Sequence, residues 1–212
     1  VASTICTDAA GNSATASLTV QIDKTAPALN MPSLASSYTL GNSALLTFDA
    51  TDTLSQLASF SATLNGNPVS SGSTATLNQL GANTFTLTAT DFAGNTATRT
   101  QQFTVTYAFG GFLPPLTASS QPVFHLGSVI PVKFDLFDAN GATISTAVAH
   151  LSLQKFYEDE PLGSPIEATP TGGADSGNLF RYSGGQYIYN LSTKPLSAGI
   201  WEIQATLDDG TI

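Results

Sequence analysis

The residues with the clearest capacity for chemistry are aspartates. Asp49 and Asp52 follow a strand-like run in Phe48-Asp49-Ala50-Thr51-Asp52, and Asp8, Asp23 and Asp91 stand near the ends of repeated segments. Carboxylates in such numbers suit a hard cation, and Ca²⁺ takes six to eight oxygen ligands. No EF-hand or glycine-rich calcium repeat is present. Calcium at Asp49 and Asp52 is therefore the one cofactor the pattern suits, and the plainer expectation is that these aspartates cap turns by bonding nearby amides.

Other reactive groups are sparse. His125 and His150 lie in strand-like segments, and no G-x-S-x-G, H-E-x-x-H or paired-cysteine motif accompanies them. Serine is abundant, so a Ser-His-Asp set assembled from this chain carries no weight without geometry. No catalytic residues are assigned and no enzymatic activity is expected. Cys6 is a single cysteine, so no disulfide forms within the stretch. It occupies the position that Ala89 holds in a later repeat, where burial as a small apolar residue is expected. Glu158-Asp159-Glu160 reads as a solvated loop. Tyr182, Tyr187, Tyr189 and Trp201 could stack on sugar rings, yet strand alternation directs Tyr187, Tyr189 and Trp201 into a core. Glycan or cell-surface binding stays open as the alternative function.

The elements that must position these residues are strands. Phe85, Leu87 and Ala89 alternate with threonines, and so do Phe103 and Val105 with Gln102, Thr104 and Thr106. Val132, Phe134 and Leu136, then Tyr187, Tyr189 and Leu191, then Trp201, Ile203, Ala205 and Leu207 repeat the pattern. Period-two alternation with turn signals about every ten residues predicts β-sandwiches. Leu46, Phe48, Phe85 and Leu87 are the expected core of the earlier sandwich. Phe60, Ala62 and Leu64 run into Asn65-Gly66, a strong hairpin signal.

A repeat sets the organisation. Thr7-Asp8-Ala9-Ala10-Gly11-Asn12-Ser13-Ala14-Thr15 returns 83 residues later as Thr90-Asp91-Phe92-Ala93-Gly94-Asn95-Thr96-Ala97-Thr98. Asp8, Gly11 and Asn12, and likewise Asp91, Gly94 and Asn95, are expected to form structural hairpin turns. Asp23-Lys24-Thr25-Ala26-Pro27 marks a junction. The predicted divisions are 1-23, the last hairpin of a preceding module, 24-106, a full sandwich, and 107-212, a third module.

Residues 1 to 106 resemble bacterial immunoglobulin-like repeats whose final hairpin reads T-D-x-A-G-N-x-A-T and whose junctions read D-x-T-A-P. Residues 107 to 212 resemble the PxKF-type domain, on Pro131-Val132-Lys133-Phe134 with Phe180-Arg181-Tyr182, Gln186-Tyr187-Ile188-Tyr189-Asn190 and Asp208-Asp209-Gly210-Thr211. That family continues past its last motif into a further strand. The resemblance implies an all-β fold of tandem immunoglobulin-like sandwiches in an exported, extracellular or cell-surface protein, and no activity. By the same analogy Lys133 is a minor candidate for an isopeptide bond.

Composition narrows the partners. Six basic residues against fifteen acidic ones give a net charge of −9, with only 10% of residues charged. Such a chain cannot displace counterions from a polyanion, so nucleic acid is not a partner. No apolar run is long enough to span a membrane as a helix. Neighbouring modules or self-association are the expected contacts, in a structural role as stalk, fibre or surface layer. Both ends look unfinished. The strand expected after Thr211 is missing, and residues 14 to 22 form a strand of that same final type. Either the stretch is a window on a longer array, the favoured reading, or one subunit's strand completes the next.

Overall fold

The computed structural model describes residues 2–117, 122–173 and 175–211, and among these every regular element is a strand. The fold is all-β, with sheets packed as sandwiches, as the alternation requires. Among the described residues no helix is long and apolar enough to cross a membrane. Backbone contacts divide the chain into two units: Val1–Pro32, Thr47–Gly72 and Phe85–Thr100 form the first, and Ser33–Leu46, Ser73–Thr84 and Gln101–Ile212 the second.

The first unit opens with a hairpin of β1 (Ala2–Thr7) and β2 (Ser13–Leu18), in register Cys6 to Ala14 and Thr4 to Ala16. It also holds a short pair, β3 (Ala28–Asn30) with β6 (Asp49–Thr51), and the strand β7 (Leu57–Leu64) with β8 (Asn67–Val69). Asn65 and Gly66 reverse β7 into β8 with φ of 51° and 80°. Both central residues thus take the positive φ that suits a two-residue hairpin to strand twist. The end of β10 (Gly81–Asp91) pairs with β7, Leu87 facing Ala62. Phe85 and Leu87 are fully buried, and the Phe85 ring packs 5.3 Å from that of Phe48.

The second unit contains β4 (Ser37–Thr39), β5 (Ser43–Leu46) and β9 (Ser73–Thr76). β5 pairs with β9, and β4 runs parallel to the end of β11 (Thr96–Thr106), Thr104 beside Ser37 and Thr106 beside Thr39. Its larger body is a two-sheet sandwich. One sheet has the order β12 (Ala108–Phe112), β13 (Val129–Phe137), β18 (Gln186–Ser192), β17 (Arg181–Ser183). In the other, β14 (Ala149–Tyr157) pairs along one side with the short strands β15 (Glu160–Pro161) and β16 (Ile166–Glu167). Along its other side runs β19 (Ile200–Leu207). Val132, Phe134, Leu136, Tyr187 and Tyr189 face Leu151, Leu153, Ala205 and Leu207 across the core. Phe134 stacks on Tyr187 at 5.1 Å with planes 8° apart. Burying a large apolar side chain contributes about 1.5–3 kcal/mol, and the tyrosines bring their hydroxyls in satisfied: Tyr187 accepts from the Ala147 amide and Tyr189 donates to the Gly177 carbonyl.

Three expectations need correction. Cys6 is exposed, because among the described residues no second sheet covers the β1–β2 hairpin and every described residue of β2 is exposed. Trp201 keeps its inward register but is only partly buried, since it sits near the open end of β19 where the sheets part. His125 lies in an exposed segment ahead of β13, outside any strand.

Candidate metal centre

Three segments distant in sequence meet in the first unit. Asp23 lies between β2 and β3, Asp52 just after β6, and Asp91 at the end of β10; their carboxylate oxygens all fall within 4.8 Å of one another. Each position has a local cause. Asp52 caps a turn, its Oδ1 accepting from the amides of Leu54, Ser55 and Gln56 at 3.1, 2.8 and 2.9 Å. Asp91 is 2% exposed and closes the Gly94 turn, accepting from the Asn95 amide and from Asn95 Nδ2, both at 2.8 Å. Asp23 Oδ1 accepts from the Thr25 amide at 2.9 Å, and Asn95 Nδ2 also reaches the Asp23 carbonyl at 3.5 Å.

These bonds are made by neutral donors, with no cation among them. The Ser55 hydroxyl, followed by the Thr25 amide, holds the Asp23 carboxyl below its ordinary range. Asp23 Oδ2 is sealed from solvent without a hydrogen bond to any described atom. Bare carboxylates this close repel one another, and a sealed carboxylate oxygen without a donor is costly. One divalent cation would relieve both, and an all-oxygen donor set favours calcium or magnesium over softer metals.

Of the two aspartates proposed from sequence for calcium, the structure brings Asp52 to this cluster. Asp49 instead pairs with the Asn30 side chain across β3–β6. The Asp8 and Asp91 turns are closed by bonds within the turn. Asp8 accepts from the Ala10 and Asn12 amides and from Asn12 Nδ2, and Gly11 and Gly94 take φ of 88° and 90°. Sequence reasoning noted Asp23 and Asp91 only as lying near module ends. Their convergence with Asp52 depends on loop packing, for which spacing carries no signal.

The remaining candidates disperse. His150 bonds Asn178 at the surface. Glu158 and Asp159 form an exposed turn with positive φ between β14 and β15. Lys133 faces Ile188 in the β13–β18 register. The aromatic platform does not form, because Tyr187 and Tyr189 are buried while Trp201 belongs to the opposite sheet. Trp201 Nε1 donates to the Ser197 carbonyl at 2.9 Å, Lys155 Nζ stands 5.8 Å from its ring centre, and the ring lines an open cleft in the second unit.

No family profile and no curated protein sequence matches the chain. Among solved structures it is similar to the Bacteroides ovatus mixed-linkage glucan utilization locus protein SGBP-B, in complex with a mixed-linkage heptasaccharide. The identity is 12% and the TM-score 0.26, with this chain covered in full. The chain spans 45% of that protein's length. So slight a likeness carries no argument about function.

Proposed function

We propose that this chain is a non-enzymatic structural segment of a bacterial exported protein, a spacer in a stalk, fibre or surface layer, stiffened by a bound calcium ion. The observation behind this reading is the meeting of Asp23, Asp52 and Asp91. Asp23 stands on the segment leading out of the β1–β2 hairpin, so a cation held there would fix that segment to the β6–β7 and β10–β11 turns. The resemblance to immunoglobulin-like arrays supports the same role, as does the low charge content.

Calorimetry and thermal melting of the chelated protein test it. Calcium should bind with measurable heat and raise the melting temperature, by an amount corresponding to about 2.7 kcal/mol at a hundredfold excess over Kd. Asp52→Asn should remove both effects. Absence of heat together with an unchanged melting temperature overturns the reading. A second reading, a glycan-binding accessory segment, rests on the partly exposed Trp201 ring in its cleft. Specific binding to an oligosaccharide panel, lost in Trp201→Ala with the fold intact, would favour it.

A further inference from the structure

The three carboxylates of the cluster are not held equally. Asp52 Oδ1 takes three amides of its own turn. Asp91 is 2% exposed and ends a strand that pairs with β7. Asp23 stands instead in residues 19–27, which lie outside every strand. Beyond this segment the chain is anchored: Pro27 and Leu29 are buried, and β3 pairs with β6, Leu29 facing Ala50. Between Asp23 and Pro27 it is not. Lys24, Thr25 and Ala26 are exposed, and the Thr25 amide bonds back to Asp23 Oδ1.

Asp23 is where this segment is held to the rest of the unit. The Ser55 hydroxyl bonds its carboxylate, and Asn95 Nδ2 reaches its carbonyl at 3.5 Å, long for a hydrogen bond. Asp23 Oδ2 is sealed without a donor among the described residues. Repulsion among three close carboxylates therefore acts most on Asp23, the one on the least bonded segment. A divalent cation reverses that force and draws Asp23 in against Asp52 and Asp91.

The next residue is Lys24. The basic residues of the first unit are Lys24 and Arg99. Arg99 lies within β11, beside Thr98, whose hydroxyl is 3.0 Å from that of Thr88, and its guanidinium reaches the Leu29 carbonyl at 3.4 Å. Lys24 has an exposed connection around it, and such connections are where proteases nick folded proteins.

We propose that the cation gates proteolysis of the chain: with the ion bound the 23–26 segment stays closed and the Lys24–Thr25 bond is protected, and without it the segment opens to an endoprotease selective for basic residues. Water then adds across that amide, leaving a carboxylate on Lys24 and an amine on Thr25, and the β1–β2 hairpin parts from β3. The gate rests on the calcium reading above and gives it a consequence. An exported spacer built this way stays whole where calcium is plentiful and is cut at one bond where it is scarce. When closing is fast relative to cleavage, the cutting rate follows the open population. An ion bound only in the closed state lowers that population by the factor 1 + [Ca²⁺]/Kd, about a hundredfold at a hundredfold excess over Kd.

Trypsin digestion of the 212-residue chain, followed by mass spectrometry in calcium and in chelator, tests the gate beside calorimetry that supplies Kd. In chelator the first cut should fall after Lys24, with the remainder persisting and Arg99 cut much later. Calcium should slow the Lys24 cut by the factor that the calorimetric Kd sets. Asp52→Asn keeps the turn's acceptor oxygen and loses the charge. It should be cut after Lys24 at one rate with or without calcium, which also separates an effect on the substrate from one on the protease. Heat of calcium binding with an unchanged rate at Lys24 overturns the gate and leaves the calcium reading standing. Absence of heat overturns both. The gate also fails if Lys24 resists cleavage in chelator or is cut there together with Arg99, the mark of global unfolding. It fails equally if calcium slows the Asp52→Asn variant as much as the parent.

Discussion

The hairpins β1–β2 and β10–β11 carry the same nine-residue motif and close on turns with the same bonds, yet share little beyond them. Asp8 is exposed while Asp91 is 2% exposed. Cys6 is bare where its counterpart Ala89 is 1% exposed. Among the described residues Asn12 bonds its own turn alone, but Asn95 also reaches Asp23, from a different segment. The motif therefore encodes a reversal of the chain that any hairpin can use. Whether its aspartate becomes part of a site depends on what other segments bring alongside.

The largest test of that contrast is in the strands. Phe103→Ala should cost about 3–5 kcal/mol, as expected for a large ring lost from a packed core. The equivalent Val20→Ala should stay within about 0.5 kcal/mol, as exposed substitutions do. Chemical denaturation of both variants measures the difference, and equal losses would break the comparison. Next is the turn carboxylate. Asp91→Ala leaves the partly buried Asn95 side chain with only the distant Asp23 carbonyl as acceptor and should cost about 1–3 kcal/mol. Asp8→Ala should change only local amide exchange at residues 10–12. Glycine should show no contrast: Gly11 and Gly94 take φ of 88° and 90° with open space around a would-be Cβ. Each change to Ala should cost about 1–2 kcal/mol of backbone strain, read as the free energy of opening each turn by amide exchange.

The smallest effect is a titration. The Asn12 side chain, followed by its amide, holds the Asp8 carboxyl below its ordinary value of 3.8. A depressed folded value means the turn's contribution is complete above the ordinary value and is lost as pH falls through the folded one. Amide shifts of Ala10 and Asn12 should therefore titrate with a midpoint below 3.8. A midpoint at or above it would show that these bonds are not held in solution.

What could be read from sequence was what is local or periodic. Alternation placed Leu46, Phe48, Phe85 and Leu87 in the core, and all four are buried. The Asn65-Gly66 hairpin and the Asp8 and Asp91 turns follow from residues adjacent in the chain. Alternation assigns a face, however, and not what covers it. Phe60 was grouped with Ala62, which is 4% exposed, yet Phe60 itself is 49% exposed. Trp201 points inward, but the sheets diverge around it. The carboxylate cluster is half legible: the strand-end pattern marks Asp52, while the departure of Asp49 to Asn30 and the arrival of Asp23 and Asp91 depend on loop packing. Asp138 escaped notice too. It makes the same kind of turn in Asp138-Ala139-Asn140-Gly141-Ala142, with its amide donating to the Ala142 carbonyl at 2.9 Å, but its fifth residue is not Asn.

Asp209 sits in the last turn of the second unit, 5% exposed, and its Oδ2 accepts from the Tyr107 amide at 2.7 Å, across 102 positions of chain. The segment just ahead of β12 is thereby fastened to the turn after β19, and Asp208 of the same turn bonds the Tyr107 side chain. A pull that separates Tyr107 from this turn would load both bonds before the strand ladders between them. Two adjacent carboxylates thus act as a latch on the way into the sandwich.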